Sequence, residues 1–209
     1  HEWSIIRRVL DKRPHFIIAD GGIKLESRAY VENAAHALLL AVDKPDISAG
    51  KKYGMADDNI FTMRQRIEAI ANYMGHKFEF VDMPFDLAVP CHVLWRNARG
   101  HRIRNLQKIR ADLGYRDVVA ADEAMRRTVD CLVKNRPEPG GEAEIQLGDP
   151  FDYAKEDQLI RAWKDWRNMF PRVDYPVLPP AHMYRHPKKP NEPWTRPDHW
   201  ATGRGEKPK

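Results

Sequence analysis

Between Thr62 and Met83 the chain spells out a helix, a stop and a strand in direct succession, and this succession narrows the fold more than any other stretch. Thr62 stands where an N-cap is wanted, Ile67, Ile70, Ala71 and Met74 recur at the helical period, and Gly75 ends the run. KFEFVDM (77–83) then alternates apolar and polar residues, as a half-buried strand does. Helix–Gly–strand is the repeating unit of α/β folds. The start of the chain fits the same class. Trp3, Ile6, Val9 and Leu10 lie at helical spacing in 3–12, Arg13-Pro14 ends that helix, and the apolar HFIIAD reads as a strand running into a turn at Gly21-Gly22.

The remaining elements follow from the same signals. Residues 27–31 read as a short extended segment, Asn33 as the N-cap of an Ala/Leu-rich helix over 34–42, and Pro45 as its stop. KKYGMAD (51–57) reads as another strand. Residues 85–95 are apolar and helical in pattern, divided by Pro90; 102–113 reads as a helix stopped by Gly114, and 121–133 as an amphipathic helix. After Asn135 the texture changes. The organisation expected is a portion over 1–136, a linker over 137–150, an amphipathic Trp-bearing helix over 151–170 with Leu159, Trp163 and Trp166 on one side, and a Pro-rich basic extended arm over 171–209. Nine prolines in the last 39 residues leave that arm mostly irregular.

Charge and cysteine usage exclude several classes. The net charge of +5 is concentrated in the arm, where eight Lys and Arg face four Asp and Glu, so a nucleic-acid face is not favoured for the body of the chain. Trp194 and Trp200, set among basic residues, suit docking on the same protein or on a sister subunit, as in a homodimer through the arm, better than base stacking. No apolar run approaches the about 18–20 residues of a membrane span. Cys91 and Cys131 form no CxxC pair, which fits a reducing, cytoplasmic setting. His182, His186 and His199 have a metal-like spacing, but Pro187 breaks the helix it requires and no HExxH accompanies them, so no metal site is expected. The chain opens on His1, with neither an initiator Met nor a signal segment, and is expected to begin partway into a longer protein.

Taken in order, the Gly-Gly turn, R-x-Y-V-x-N-x-A leading into a helix, A-G-K-K-Y, the amphipathic helix, the strand after Gly75, and KIRADLGYRD followed by EAMRRTV are similar to the C-terminal, substrate-binding portion of extended short-chain dehydrogenase/reductases, the NAD-dependent epimerase/dehydratase family. The resemblance covers about two-thirds of the chain and rests on segments 28–41 and 108–129 in that order. It implies an α/β chain forming the C-terminal part of a Rossmann-like fold. It further implies NAD or NADP held mainly by an N-terminal Rossmann half of the same protein, and hydride transfer on a sugar, nucleotide-sugar or other hydroxylated substrate. A non-catalytic binding or assembly subunit derived from the family is the alternative.

The catalytic marks of the family are not found. Gly21-Gly22 lacks the further glycine of a dinucleotide cradle. Tyr73/Lys77 straddle Gly75 and Tyr184/Lys188 straddle Pro187, so neither Tyr-x-x-x-Lys pair is expected to share a helical face. No catalytic residue is therefore assigned. The resemblance makes Arg28 the first candidate for a substrate phosphate, since a guanidinium fork holds two phosphate oxygens at once; the plainer reading pairs it with Glu26 or Glu32. Tyr30 alternates with Arg28 and either faces substrate or packs on the Ala-rich helix. Arg102 and Arg104 are further candidate substrate contacts, otherwise an ordinary solvated face. The Leu-Gly-Tyr at 113–115 implies a turning glycine and an aromatic buried against the domain.

Overall fold

The structure, a computed structural model, describes residues 1–95, 99–173 and 190–191. The chain divides into two compact units, His1–Arg167 and Asn168–Lys209. Nearly all of the expected arm, with Tyr184, Lys188, its three histidines and both its tryptophans, lies outside the described residues.

Along the chain α1 (Glu2–Leu10) leads into β1 (His15–Ala19), a 3-10 turn at Asp20–Gly22, α2 (Val31–Asp43), α3 (Pro45–Ser48), α4 (Met63–Tyr73) and β2 (Glu79–Met83). A second 3-10 turn at Val89–Cys91 runs into α5 (His92–Trp95), and α6 (Gln107–Leu113), α7 (Ala121–Lys134), α8 (Glu142–Leu147) and α9 (Tyr153–Met169) follow. The fold is α/β. β1 and β2 pair in parallel, His15 opposite Glu79 through Ala19 opposite Met83, and the connection between them carries the helices that a parallel crossover requires.

The helix–Gly–strand unit has the form its residues dictate. Thr62 Oγ1 accepts the Gln65 N–H at 3.1 Å while Gln65 Oε1 accepts the Thr62 N–H at 2.9 Å; this reciprocal cap is worth about 1 kcal/mol. Gly75, at φ 71°, turns the chain out of α4. Ile67 and Ile70 are fully buried, joining Ile5 and Ile6 of α1, Ile18 of β1, Met83 of β2 and Val129 of α7 in one apolar core. Each such side chain contributes about 1.5–3 kcal/mol. A second cluster gathers Ala37, Ala56, Leu106, Ile109, Leu113 and Tyr115. Tyr115 is buried and Gly114 adopts the left-handed conformation, as the Leu-Gly-Tyr segment implies.

Four expectations are corrected. Residues 51–57 form no strand: Lys52 O accepts Lys108 Nζ at 3.0 Å, Asp57 N–H goes to Arg28 O at 2.7 Å, and a Cβ on Gly54 would stand 2.8 Å from Asn105 O, so side chains and a loop take the place of a neighbouring strand. Asn33 is not a cap. Helix α2 already begins at Val31, with Tyr30 as N-cap, and Leu25 and Glu26 form only isolated bridges, to Thr62 and Arg102. The helix expected from residue 102 starts at Gln107, because Arg102 is engaged in its bridge with Glu26.

The fourth correction concerns 137–150, read as a linker. It holds α8 and buries Glu144 and Asp149. Arginines on α1 draw these carboxylates in. Arg8 donates to Asp149 at 2.6 Å and to Glu156 of α9, while Glu144 accepts Trp3 Nε1 at 2.8 Å and Arg7 at 2.7 Å. Farther along, Arg13 pairs with Asp157, and Trp163 Nε1 donates to Asp82 O at 2.8 Å. Trp163 and Trp166 stack at 4.9 Å. Residues 144–163 are thereby stitched onto α1, Arg13 and β2.

Candidate functional site

A pocket of about 290 Å³ opens where the start of α1, the segment before α2, α4 and α7 meet. Ala29, Tyr30 and Val31 bring the N-terminus of α2 to it, and Ala121 and Ala124 bring the first turn of α7. Neither helix has a side-chain cap. Two helix starts with uncapped N–H groups make a surface suited to negative charge.

Arg28 and Arg66 line the same pocket. The capping box fixes the start of α4 and so places Arg66 one turn in, 5.9 Å over the Phe61 ring. Glu2, at the first turn of α1, reaches between the two arginines: its Oε1 is 3.5 Å from Arg66 Nη1 and 4.0 Å from Arg28 Nη1. These are ion pairs without hydrogen-bond geometry. Arg28 Nη2 does pair closely with Glu26, at 3.0 Å, but its buried Nε has no partner. Burial works against the charged form of Glu2, yet Arg28, the amino group of His1 at 3.5 Å and Arg66 together outweigh it and hold the carboxyl below its ordinary range. Burial lowers the Arg66 pKa, against the pull of Glu2 and with the help of Arg28. Asp57 completes the rim. It accepts the Tyr30 N–H at 2.9 Å and Asn33 Nδ2 at 2.8 Å.

Asn33 is the clip behind this arrangement. Fully buried, it also donates to Val119 O at 2.9 Å and accepts the Val118 and Val119 N–H groups at 3.0 and 2.9 Å, tying α2 to the chain entering α7. Tyr30 points its hydroxyl to Glu32 at 3.1 Å, and its surroundings, with that carboxylate, push the phenol up. Of the four residues singled out in the sequence, Arg28 and Tyr30 line the pocket. Arg102 does not line it; it is exposed and reaches Arg28 only through their shared partner Glu26, at 3.9 Å. Arg104 is exposed, and its main-chain N–H goes to Ser27 Oγ at 2.9 Å. Glu2, Asp57 and Arg66 were not foreseen. Arg66 sits in MRQRIEAI like any solvated helix cation, and only the packing of α1 against α4 reveals it.

The Gly21-Gly22 turn is not built as a dinucleotide cradle. A Cβ on Gly22 would meet Ile18 Cδ1 at 2.3 Å and Arg64 Cβ at 2.9 Å, so this glycine makes room for protein packing rather than for a pyrophosphate. The residues present do not fit NAD or NADP at that turn. Tyr73 closes α4 and bonds both Asp130 oxygens at 3.0 Å, while Lys77 lies beyond Gly75. Burial pushes the Cys91 thiol up to about 12, which removes it as a nucleophile. Among the described residues no group of three or more His, Cys, Asp and Glu is placed to hold a metal, and no helix is long and apolar enough to cross a membrane.

A larger groove of about 780 Å³ runs between residues 89–93 and 147–162. It is mainly apolar, and its buried carboxylates Asp149 and Glu156 are both held by Arg8. The smaller pocket is the stronger candidate because charge and helix termini converge there.

No family model matches the chain, and no curated protein matches it. Solved structures resemble part of it. A dTDP-glucose 4,6-dehydratase from Bacillus anthracis in complex with NAD is 15% identical over 63% of this chain and 38% of its own, with a TM-score of 0.48. RMD from Pseudomonas aeruginosa complexed with NADPH is 15% identical over 64% and 40%, with a TM-score of 0.49. The Bordetella bronchiseptica enzyme WbmF in complex with NADH is 18% identical over 80% and 41%, with a TM-score of 0.46. The chain thus spans about two-fifths of the length of these proteins.

Proposed function

We propose that this chain is the substrate-binding part of an NAD(P)-dependent epimerase/dehydratase or related oxidoreductase, and that its pocket holds the phosphates of a nucleotide-sugar. The observation that carries the reading is the convergence of Arg28, Arg66 and the uncapped starts of α2 and α7 on one pocket. Two guanidiniums and two helix N-termini recognise a diphosphate by charge and by multiple N–H donors. The order of the two sequence segments, 28–41 and 108–129, supports the family assignment independently of that geometry. The cofactor and the proton chemistry belong to an N-terminal Rossmann half, and this chain supplies the anion-binding wall. The engagement of Tyr73 with Asp130 keeps open a second reading, a non-catalytic binding subunit of the same origin. The intact protein decides between them by whether it turns over NAD(P).

Calorimetric titration of the 209-residue chain with UDP and with pyrophosphate tests the proposal. Both are expected to bind, and Arg28→Ala and Arg66→Ala are each expected to weaken binding at least about tenfold, the loss of one charge-assisted contact. Binding that neither substitution changes would overturn it.

A further inference from the structure

We infer that Glu2 is a resident counter-ion of the pocket, displaced when a phosphate-bearing ligand enters, and that it sets the pocket's affinity for such ligands. This rests on the anion reading of the pocket and adds a residue outside the segments that suggested that reading. Glu2 Oε1 stands 3.5 Å from Arg66 Nη1 and 4.0 Å from Arg28 Nη1, close enough to neutralise both and too far to satisfy either. Arg28 Nε is buried without a partner. Arg28 is therefore charge-compensated and under-bonded, the state from which an incoming phosphate gains hydrogen bonds that the carboxylate does not make.

The place of Glu2 is set from the other side of its helix. Trp3 and Arg7 are bonded to Glu144, and Arg8 to Asp149 and Glu156, so α1 is held by short bonds, while the Glu2 carboxylate is held only by longer ion pairs, to Arg66, to Arg28 and, at 3.5 Å, to the amino group of His1. Entry of a phosphate exchanges one anion for another and leaves the anchors of the helix intact.

The test is calorimetric titration of pyrophosphate into the full chain, into Glu2→Gln and into the double variant Glu2→Gln/Arg66→Ala, with circular dichroism to show that each is folded. Glu2→Gln is expected to bind about tenfold more tightly, the scale of one competing charge at a partly buried site, and the double variant to lose that gain. Binding by the native chain that Glu2→Gln leaves unchanged or weakens overturns the inference while leaving the anion pocket standing. Absence of binding by both the native chain and Glu2→Gln overturns the inference and the pocket reading together. Should Glu2→Gln not fold, Glu2→Asp, which withdraws the carboxylate by one methylene, is expected to bind about threefold more tightly, and unchanged or weaker binding overturns the inference in the same way.

Discussion

Helix α1 carries an ion cluster on each of two sides, and the two are built to opposite plans. On one side Arg8, buried, spends its guanidinium on Asp149, Glu156 and the carbonyl and hydroxyl of Ser4. One cation meets two carboxylates, and the geometry is closed. On the other side Arg28 and Arg66 share Glu2 at distances that leave hydrogen bonds unmade, beside open volume. Both clusters join residues far apart in the chain, but only the second leaves donors for a ligand. The difference separates an arginine that holds a fold from one that can hold a substrate, and it is a difference of satisfaction and of burial rather than of residue type.

The largest expected effect tests that division directly. Arg8→Met strands Asp149 and Glu156 in the interior and is expected to cost about 3–5 kcal/mol in urea unfolding. Arg66→Met, which removes a desolvated cation that makes no hydrogen bond to Glu2, is expected to cost less, about 1 kcal/mol, since Glu2 keeps Arg28 and the amino group of His1 and is not left as an uncompensated charge. Equal losses from the two substitutions would break the comparison and make the open cluster structural as well.

The two clusters also differ in how much of them could be read from the sequence. The helix–Gly–strand unit, both strands of the sheet and the Leu-Gly-Tyr turn were legible because caps, periods and positive-φ glycines are local. Arg28 and Tyr30, which line the pocket, belong to a segment singled out by its local pattern. The closed cluster was not, because its hydrogen bonds join residues more than 140 positions apart, and Pro139, Gly140 and Gly141 made the residues around them look like a linker when they form the turn before α8. Arg66 escaped for the related reason that burial by a distant helix leaves no mark on its own. The strand expected at 51–57 failed through the same non-locality: a strand is defined by its neighbour, and that place is taken by residues 105–108.

A middle-sized effect sharpens the account of the open side. Asn33→Ala leaves the Val118 and Val119 N–H groups without their acceptor and Asp57 without one of its donors behind the pocket, and is expected to cost about 2–3 kcal/mol. The clip sets where α2 and α7 begin, so pyrophosphate binding should weaken along with stability. Loss of stability with full binding would show that the helix starts are positioned independently of Asn33.

The smallest effect belongs to acid. Burial works against the charged form of Glu144, but the hydrogen bonds from Trp3 and the Gly140 N–H and the nearby Arg7 outweigh it and keep the carboxyl below its ordinary value of 4.5. A carboxyl with a depressed folded-state pKa stabilises the fold fully above its unfolded value and loses that contribution as pH falls through the folded one. Stability measured by urea at fixed temperature should therefore hold from pH 7 to about 5 and decline below it. Glu144→Gln should be less stable than the native chain at pH 7 and show a shallower decline. Glu2 is depressed as well, against its burial, but chiefly by the charges of Arg28, the His1 amino group and Arg66 rather than by short side-chain hydrogen bonds. Its share of the acid dependence should therefore shrink in high salt, whereas that of Glu144, fixed by short bonds in the interior, should persist. An acid limb in which the two respond alike to salt would mean that the open cluster is as tightly made as the closed one.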